Sequence, residues 1–410
     1  MSGRRVVVVG AGLAGVQTVV ELRGQGWDGA VTLLGAERHQ PYDRPPLSKA
    51  ALLAPDDESA LHAAALDIDF AELDAELLLG RAATGLDAAG RRLHTDAGPL
   101  DYDHLVLATG AEPVTLPGTR DVPGVHLLRT LDDARALRPV LAARGSVVAV
   151  GAGWIGAEVA TAAAAAGCRV TVVEAAHHPL PGALPPEITE PMRRWYAAAG
   201  AELRTGQRVT AVRSGEVELA DGTVLGADAV LVGVGSRPAT GWLAGSGVEL
   251  APDGSVSADA GLRTGVPDVY AVGDCASYPS ARYGRRLLVH HWDNALQGPR
   301  TVAAGILGAT AVHDPVPYFW SEQFGRHVQY AGRRGEGPAA GEETLVTRGD
   351  PAGDGPWAAC WLDPAGRLVA VLAVDQPRDL TQGRRLVERG TPLDARLLAD
   401  PSVPLKAAVR

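Results

Sequence analysis

Two copies of one glycine pattern set the strongest limit on how this chain can fold. "VVVVGAGLAG" (Val6–Gly15) and "VVAVGAGWIG" (Val147–Gly156) each place a short apolar run before G-x-G-x-x-G. Such a run indicates a buried parallel strand, and the residues after each glycine pattern indicate a helix. A glycine turn between a strand and a helix is the context in which this fingerprint binds dinucleotides. The sequence therefore predicts two nucleotide-binding units.

The glycines in each copy have separate physical tasks. The first permits a tight turn, the second lets the backbone approach a diphosphate, and the third lets the helix pack closely against the strand. Free N–H groups and the helix dipole then favour an anion at the helix N-terminus. These glycines are Gly10, Gly12 and Gly15 in the first copy and Gly151, Gly153 and Gly156 in the second.

The order of elements predicts an α/β protein in which one domain is inserted into another. "DVYAVGDCA" looks like a late part of the first nucleotide-binding domain, yet it follows the second fingerprint. Further on, "AACWLDPAGRLVAVLAV" predicts an antiparallel hairpin with "DPAG" as its turn. We therefore expect two Rossmann-like domains, the second inserted in the first, and a C-terminal α+β domain. The predicted boundaries are 1–115 and 243–316 for the first domain, 116–242 for the second and 317–410 for the C-terminal domain.

Acidic residues after the second strand of each unit indicate which nucleotide it binds, because such residues accept hydrogen bonds from ribose hydroxyl groups. In the second unit this residue is Glu174, whose carboxylate would repel a 2′-phosphate and so favours NADH over NADPH. His177 and His178 follow it and leave the strictness of that preference open. In the first unit the strand ends in "LLGAE", where Glu37 is the nearest carboxylate.

Asp274 is a third candidate ligand-binding residue. It follows the apolar run "VYAV" and Gly273, at the end of a predicted strand. An aspartate in this position can accept a hydrogen bond from a polyol such as a ribityl chain. Together with the two fingerprints and the "LVLATGA" segment, it favours a flavin in the first unit.

Composition and charge exclude several classes of protein. The chain of 410 residues has a formal net charge of −10, which argues against nucleic acid as its main partner. Its three cysteines are far apart, without the spacing of a zinc site or a redox dithiol. "MSGRR" leads directly into a strand without the pattern of a secretory signal, and no apolar run is long enough to cross a bilayer. We therefore expect a cytoplasmic protein that binds neither nucleic acid nor membranes.

A set of longer motifs, distributed over nearly the whole chain, carries a more specific signal. They are "PYDRPPLSK", "LVLATGAEP", "LLRTLDDA", "GAGWIGAEVA", "GVGSRP", "VYAVGDCA", "HWDNALQG", "VPYFWSEQF" and "LLADPSVPLK". In these motifs the chain resembles the two-dinucleotide flavoproteins, and within them the ferredoxin reductases of the putidaredoxin and rhodocoxin reductase type. The resemblance implies non-covalent FAD in the first domain and NADH, as substrate, in the second. It also implies that the third domain covers the far side of the flavin and shapes the partner interface.

The resemblance further implies contacts for individual residues of these motifs. Those implied for FAD are Gly10, Gly12, Ala14, Gly15, Glu37, Arg44, Lys49, Ala83, Arg129, Asp274, Trp292 and Trp320. Those implied for NADH are Gly151, Gly153, Ile155, Gly156, Glu158 and Glu174.

Lys49 and Glu158 have tuning roles by this resemblance, with the two side chains paired near the contact of flavin and nicotinamide. A lysine near flavin N1 or N5 would stabilise negative charge on the reduced ring, and a carboxylate would hold that lysine in place. One departure concerns His290, since the family more usually has glutamate there. His290 and His291 are adjacent on a predicted strand and point to opposite faces, which argues against a metal site.

The activity implied is NADH-dependent reduction of a small ferredoxin that serves a cytochrome P450 or a Rieske oxygenase. NADH would pass a hydride to flavin N5, and the reduced flavin would release electrons one at a time. An NADH oxidase and an NADH-sensing flavoprotein resembling apoptosis-inducing factor are the alternatives. Tyr42 and Asp43 stand where disulfide and peroxide reductases keep a cysteine, which excludes those two classes. Candidate arginines for ferredoxin docking are Arg282, Arg285, Arg286, Arg326, Arg333 and Arg334.

Overall fold

Two compact units make up the described chain. The computed structural model describes residues 4–53, 59–335 and 337–410. The first unit contains the described residues up to Asp43 together with His62–Glu112 and Ser236–Pro315. The second contains those of Arg44–Leu61, Pro113–Gly235 and Val316–Arg410. The first unit is thus interrupted in sequence by most of the second, as expected of an inserted domain.

A parallel five-stranded sheet forms the centre of the first unit. Its strands, in spatial order, are Val269–Ala271, His104–Leu107, Arg5–Val9, Ala30–Gly35 and Ala75–Leu79. Val6, Val7 and Val8 are completely buried, because a central parallel strand has both faces covered. Helices Leu13–Gly24 and Trp292–Ile306 pack against each other and share one apolar core with this sheet.

Smaller sheets surround this core. One is an antiparallel sheet of Ala83–Asp87, Arg92–Thr95 and Leu100–Asp101. A second joins Val256–Ser257 in parallel to Ala276–Ser280, which pairs antiparallel with Arg285–Leu288. Other short elements are Ala111–Pro113 paired with Ser236–Pro238, and the 3₁₀ turns Gly241–Leu243 and Gly273–Cys275. The four-residue helix Ser59–His62 stands at the change of unit along the chain.

The second unit repeats the parallel sheet with the same strand order relative to its fingerprint. The order is Glu202–Thr205, Arg169–Glu174, Ser146–Val150, Ala229–Val232 and Val125–His126. Fingerprint helix Trp154–Ala165 follows the central strand, and Leu131–Ala142 begins in a capping box of Thr130 and Asp133. The remaining elements are strands Val209–Arg213, Glu216–Leu219 and Val224–Gly226, helices Ala50–Leu53, Pro186–Thr189 and Arg193–Ala198, and the 3₁₀ turn Pro45–Ser48.

The C-terminal part of the second unit is an antiparallel sheet with helices. Its strand order is Tyr318–Gln323, Arg326–Gly332, Leu368–Val374, Trp357–Leu362 and Thr344–Arg348. Strands Trp357–Leu362 and Leu368–Val374 form the predicted hairpin, with Gly366 N–H donating to Asp363 O in the turn. The helical segments are Pro338–Gly341, Pro377–Arg389, Ala395–Ala399 and Leu405–Ala408.

The predicted fold class of two Rossmann-like domains with a C-terminal α+β domain is confirmed. The predicted residue boundaries remain a prediction, and the described residues of Arg44–Leu61 group with the second unit although they lie within the predicted first domain. Over the residues that the structure describes, no helix combines the length and apolarity that a membrane span requires.

Candidate active site

The first fingerprint forms a tight turn that only glycine can occupy. Gly10 has φ +112°, and a Cβ atom there would lie 2.3 Å from the carbonyl oxygen of Ala108. A Cβ on Gly15 would lie 1.8 Å from Gly10 O, so this helix could not approach the strand with any larger residue. Gly12 faces open space, with no atom within 4 Å of its Cβ position. The turn is therefore closed on the protein side and open on the side where a diphosphate would lie.

The second fingerprint reproduces this geometry in the second unit. Gly151 has φ +103°, and its Cβ would lie 2.4 Å from Gly233 O. A Cβ on Gly156 would lie 2.0 Å from Gly151 O, whereas Gly153 has its nearest contact, Gly233 O, at 4.0 Å. Since the same three glycine tasks are fulfilled in both units, the two turns form equivalent cradles.

Both cradles end at a helix N-terminus that accepts an anion. Gly12 and Gly153 are the N-caps of twelve-residue helices; neither cap has a side-chain hydrogen bond, and neither first turn contains an acidic residue. The first backbone N–H groups of each helix are thus directed towards open space, with the positive end of the helix dipole behind them. The residues present fit the diphosphates of FAD in the first cradle and of NADH in the second.

Two exposed apolar side chains flank the second cradle. Ile155 is 39% exposed and Val234 is 38% exposed, which sets them apart from the buried valines of the adjoining strands. Val234 N lies 3.5 Å from the Cβ position of Gly151. Ile155 was expected at this site; Val234 was missed, although the "GVGSRP" motif that contains it could have indicated a residue at the strand end.

Glu174 ends its strand directly beneath the second cradle. It is 8% exposed, and its Oε2 accepts a hydrogen bond from the backbone N–H of Ala152 at 2.8 Å. Its Oε1 accepts one from Ala176 N–H at 2.9 Å. Each oxygen retains a lone pair for a ribose hydroxyl group, and the two backbone bonds hold the carboxylate in a fixed orientation.

Basic groups near Glu174 bear on the choice between NADH and NADPH. His177 is exposed, while the ring of His178 lies 2.9 Å from the Thr189 hydroxyl. Arg193 donates to the carbonyl oxygen of His177 at 3.1 Å and to Thr205 Oγ1 at 2.7 Å. This arginine was missed by sequence reasoning, because it lies on a later helix and no local pattern connects it with the strand end.

In the first unit, Glu37 lies two residues after the end of strand Ala30–Gly35, and its contact with Tyr42 differs in kind from the backbone contacts of Glu174. The Tyr42 hydroxyl donates to Glu37 Oε2 at 2.5 Å, so a side chain contributes to holding this carboxylate. A Cβ on Gly35 would lie 2.7 Å from the Ala11 side chain, which brings the strand end against the first cradle. Ala83 begins a strand of the neighbouring antiparallel sheet, paired with Thr95.

Asp274 lies in a 3₁₀ turn that packs directly on the first fingerprint helix. Gly273 has φ +76°, and a Cβ there would lie 2.9 Å from the Ala14 side chain. The turn therefore brings Asp274, more than 250 residues along the chain, next to the first cradle. Asp274 is half-buried, and its predicted contact with the flavin's ribityl chain remains a prediction.

Trp292 begins the helix that packs against the first fingerprint helix. Its indole Nε1–H donates to Asp43 Oδ1 at 2.7 Å. Burial raises the pKa of the Asp43 carboxyl, and the bond from Trp292 partly offsets this. His290 Nδ1 lies 3.1 Å from Ser236 Oγ, so the residue that departs from the family pattern has a polar partner in its own unit.

The second unit places Lys49 and Glu158 in direct contact. Lys49 Nζ lies 2.9 Å from Glu158 Oε2, with only 13% and 4% of the two side chains exposed. Glu158 is on the second fingerprint helix, about one turn after Gly153. The predicted pairing of these side chains is thus present in the structure, and it brings a buried cation close to the start of the second cradle.

Arg44 and Arg129, both expected near FAD, contact each other. The Arg44 guanidinium donates to the backbone carbonyl of Arg129 at 2.5 Å. The Arg129 N–H in turn donates to Asp133 Oδ2 at 2.9 Å, next to the helix cap. The 3₁₀ turn that follows Arg44 leads directly to Lys49.

The chain matches known proteins over nearly all of its length. Residues 4–298 match the family described as pyridine nucleotide-disulphide oxidoreductase, and residues 318–409 match the domain described as reductase C-terminal. This chain belongs to the pyridine nucleotide-disulphide oxidoreductase family. The resemblance to putidaredoxin- and rhodocoxin-type reductases predicted from the motifs is confirmed, and so is the oxidoreductase class.

Three relatives show how complete the similarity is. The ferredoxin–NAD(+) reductase component of the anthranilate 1,2-dioxygenase system of Burkholderia cepacia is 37% identical, with 99% of each chain covered. Rhodocoxin reductase of Rhodococcus erythropolis is 36% identical, covering 98% of this chain and 94% of the relative. The reductase in a crystal structure of a covalent putidaredoxin reductase–putidaredoxin complex is 31% identical, with a TM-score of 0.92 and coverage of 100% of this chain and 99% of that one.

The cysteines of this family member do not form a redox pair. Cys168, Cys275 and Cys360 are free thiols. Burial raises the pKa of the Cys275 thiol and raises that of Cys360 to about 12. Because the thiolate is the reactive form, these two cysteines are poor nucleophiles.

Trp320 lies on the C-terminal sheet, where its ring stacks on that of Tyr318 at a centroid distance of 6.2 Å. Neighbouring strand residues point to opposite faces, so Ser321 projects from the other face of the same strand. Ser321 Oγ donates to Glu158 Oε1 at 2.6 Å. The predicted contact of Trp320 with the flavin remains a prediction.

Three of the candidate docking arginines have contacts within their own unit. Arg286 donates to the carbonyl oxygens of Ala258 and Ser277, both at 2.7 Å. Arg326 pairs with Asp375 at 3.3 Å, and Arg334 pairs with Glu343 at 3.1 Å. The carboxylates partly neutralise the charges of Arg326 and Arg334, and the two carbonyl oxygens hold the Arg286 guanidinium in place, which weakens the case for these three as the centre of a ferredoxin-docking surface.

Proposed function

We propose that this protein is an NADH-dependent flavoprotein reductase that passes electrons through FAD to a ferredoxin. The observation that carries the proposal is the pair of equivalent glycine cradles, one in each unit. Two dinucleotides are needed by an enzyme in which one nucleotide reduces another. The family and its ferredoxin–NAD(+) reductase relatives are FAD flavoproteins that use NADH.

In this proposal the first unit binds FAD through its fingerprint and through Asp274. Backbone N–H groups after Gly12 would hold the diphosphate, and the Asp274 carboxylate would accept a hydrogen bond from the ribityl chain. The FAD, when bound, supplies a hydride acceptor that can release its electrons one at a time. The protein contributes binding, orientation and electrostatics, and no side-chain nucleophile is required.

The second unit would bind NADH at the second cradle. Glu174 would accept hydrogen bonds from the adenosine ribose, with its carboxylate fixed by Ala152 and Ala176. Ile155 and Val234 would provide apolar contact beside the diphosphate. A 2′-phosphate would meet the carboxylate of Glu174, and we therefore infer a preference for NADH over NADPH.

The Lys49 ammonium would stabilise negative charge that develops on the reduced ring. Glu158 would hold the ammonium in one place, because the two groups are in direct contact at 2.9 Å and largely shielded from water. A buried ion pair of this kind has a stronger field than an exposed one, since the local dielectric constant is lower.

We infer that the electron acceptor is a small iron–sulfur ferredoxin that serves an oxygenase. Supporting this, relatives similar over their whole length include a reductase component of a dioxygenase system, and putidaredoxin reductase has been crystallised in a covalent complex with putidaredoxin. The terminal acceptor would be a Rieske oxygenase or a cytochrome P450. A cytoplasmic location is also proposed, supported by three free thiols, the state that a reducing compartment maintains.

The test uses purified protein, NADH, cytochrome c and a panel of [2Fe–2S] ferredoxins that includes putidaredoxin. We expect extractable FAD, and cytochrome c reduction that depends strongly on an added ferredoxin. A colourless protein or FMN alone would refute the flavin assignment. Slow bleaching of the flavin absorbance by NADH, a long-lived charge-transfer band and cytochrome c reduction that does not depend on ferredoxin would instead indicate an NADH sensor. Fast oxygen consumption without a ferredoxin would indicate an oxidase.

A further inference from the structure

Both oxygens of the buried Glu158 carboxylate are held by serine hydroxyl groups from distant parts of the sequence. Ser321 Oγ donates to Oε1 at 2.6 Å, and Ser48 Oγ donates to Oε2, the oxygen that also accepts from Lys49 Nζ at 2.9 Å. Ser48 is 3% exposed and Ser321 is 1% exposed. The carboxylate is therefore held from both ends, away from bulk water, by the segment before Lys49 and by the first strand of the C-terminal sheet.

The direction of the Ser321 hydroxyl is fixed by a further contact. Gln323 Nε2 donates to Ser321 Oγ at 3.1 Å. A serine hydroxyl has one proton, and the Ser321 oxygen accepts from Gln323, so this proton is directed to Glu158. Gln323 is itself 1% exposed and lies on the same strand face, two residues further along. The C-terminal sheet thus presents a preorganised donor to the carboxylate.

We propose that Ser48 and Ser321 are positioning residues that fix the Glu158 carboxylate and, through it, the Lys49 ammonium for hydride transfer. This inference rests on the proposed function, in which Lys49 stabilises charge on the reduced ring. One ion-pair contact leaves a carboxylate free to rotate about its terminal bonds, whereas donors on both oxygens define its plane. The position of Lys49 Nζ then depends on a strand of the C-terminal domain as well as on the fingerprint helix.

Strands Tyr318–Gln323 and Arg326–Gly332 form a second hairpin, and a purely structural role for these bonds would be to attach that hairpin to fingerprint helix Trp154–Ala165. The same interface supplies a control for that role. Thr161, three residues after Glu158 on this helix, accepts a hydrogen bond at Oγ1 from the Phe324 N–H at 3.0 Å. Thr161→Val removes an attachment of the hairpin without changing any group that contacts Glu158.

The sequence provides a direct readout of the Lys49 environment, because Lys49 and Lys406 are its two lysines. Lys406 is exposed and serves as an internal reference. Reductive methylation of the FAD-loaded protein, followed by peptide mass spectrometry, gives the labelling rate of Lys49 relative to Lys406. A paired, enclosed ammonium reacts slowly, because the neutral and accessible amine is the nucleophile. We expect Ser48→Ala and Ser321→Ala to raise this relative rate several-fold, and Thr161→Val and Ser321→Thr to leave it near that of the unmodified protein.

The second measurement is stopped-flow reduction of the flavin by NADH. We expect each alanine variant to lower the limiting rate constant by about tenfold, the size of effect that loss of one hydrogen bond to a charged group produces, with the apparent Kd for NADH within about twofold. Ser321→Thr, which restores a hydroxyl group, should recover most of the rate. Unchanged Lys49 labelling in both alanine variants, or an equal rise in Thr161→Val, would overturn the proposal. If the unmodified protein is not reduced by NADH, the proposed function fails, and the labelling still shows whether the serines position Lys49.

Discussion

Acidification should destabilise the first unit through one buried histidine, His313. It is 4% exposed, and its Nε2 lies 3.0 Å from Asn294 Oδ1 on the helix that begins at Trp292. The Asn294 amide also donates to the carbonyl oxygen of Val289 at 3.0 Å, so the histidine belongs to a network that supports this helix. Burial lowers the pKa of His313 to about 4, against a small opposing effect of Asp314.

The magnitude follows from linkage between protonation and folding. An unfolded histidine titrates near pH 6.5, so between pH 6.5 and 4 the unfolded chain binds a proton that the folded chain does not. Stability is therefore fully present above pH 6.5 and is lost as the pH falls towards 4. The full loss is about 3.4 kcal/mol for 2.5 pKa units at 1.36 kcal/mol each, and about 2 kcal/mol of it is reached by pH 5.

The assay is urea unfolding at pH 8, 7, 6 and 5, with saturating FAD, for the unmodified protein and for His313→Gln. Glutamine keeps a neutral donor towards Asn294 but has no titratable ring. Burial lowers the pKa of His104 and of His126 as well, so the difference between the two proteins isolates His313. We expect the unmodified protein to lose about 2 kcal/mol more than the variant between pH 8 and pH 5. Equal losses in both proteins would refute this reasoning.

Three further predictions concern the second unit. Gly156→Ala should abolish NADH binding in fluorescence titrations while FAD remains bound, because its Cβ would lie 2.0 Å from Gly151 O. The control is Gly226→Ala, because Gly226 also lacks a positive φ and its Cβ position faces open space. Glu174→Arg should lower kcat/KM for NADH by about tenfold or more and raise kcat/KM for NADPH, since the fixed carboxylate is replaced by a cation. A preference for NADPH in the protein without this substitution would contradict the assignment. Arg348→Met should cost about 3–5 kcal/mol in urea unfolding, because it leaves buried Asp379 without the partner at 2.9 Å. Removal of the exposed Arg213, whose ion pair is screened by water, should change the free energy of unfolding much less.

The fingerprints could be predicted from sequence because their geometry is local. A strand, a positive-φ turn and a helix that approaches its own first glycine are all specified within ten residues. The close distances at Gly15 and Gly156 are the direct consequence of that spacing. Glu174 could also be predicted from the sequence, since the end of the strand that follows the fingerprint helix is a defined position in such a unit.

Contacts between distant segments could not be derived in this way. The same holds for one contact between near neighbours, since no periodicity indicates that the Tyr42 hydroxyl donates to Glu37. Arg193 reaches the segment that follows strand Arg169–Glu174 from a later helix, and Val234 is exposed beside Gly151 where two strand ends meet. Such contacts depend on sheet order, which the sequence pattern constrains without specifying which side chains meet.

The Lys49–Glu158 pair shows most clearly what the resemblance added and what it lacked. The residues are 109 positions apart, and without the family motifs each is an ordinary charged residue. The resemblance implied the pair, but it did not indicate Ser321, which is 163 positions from Glu158 and donates to its second oxygen. A buried carboxylate requires partners for both oxygens, because unsatisfied lone pairs in a low-dielectric environment cost free energy. A search for the missing donors of a predicted buried pair therefore finds positioning residues that motif matching alone does not, and here it leads from the nucleotide fingerprint to the C-terminal sheet.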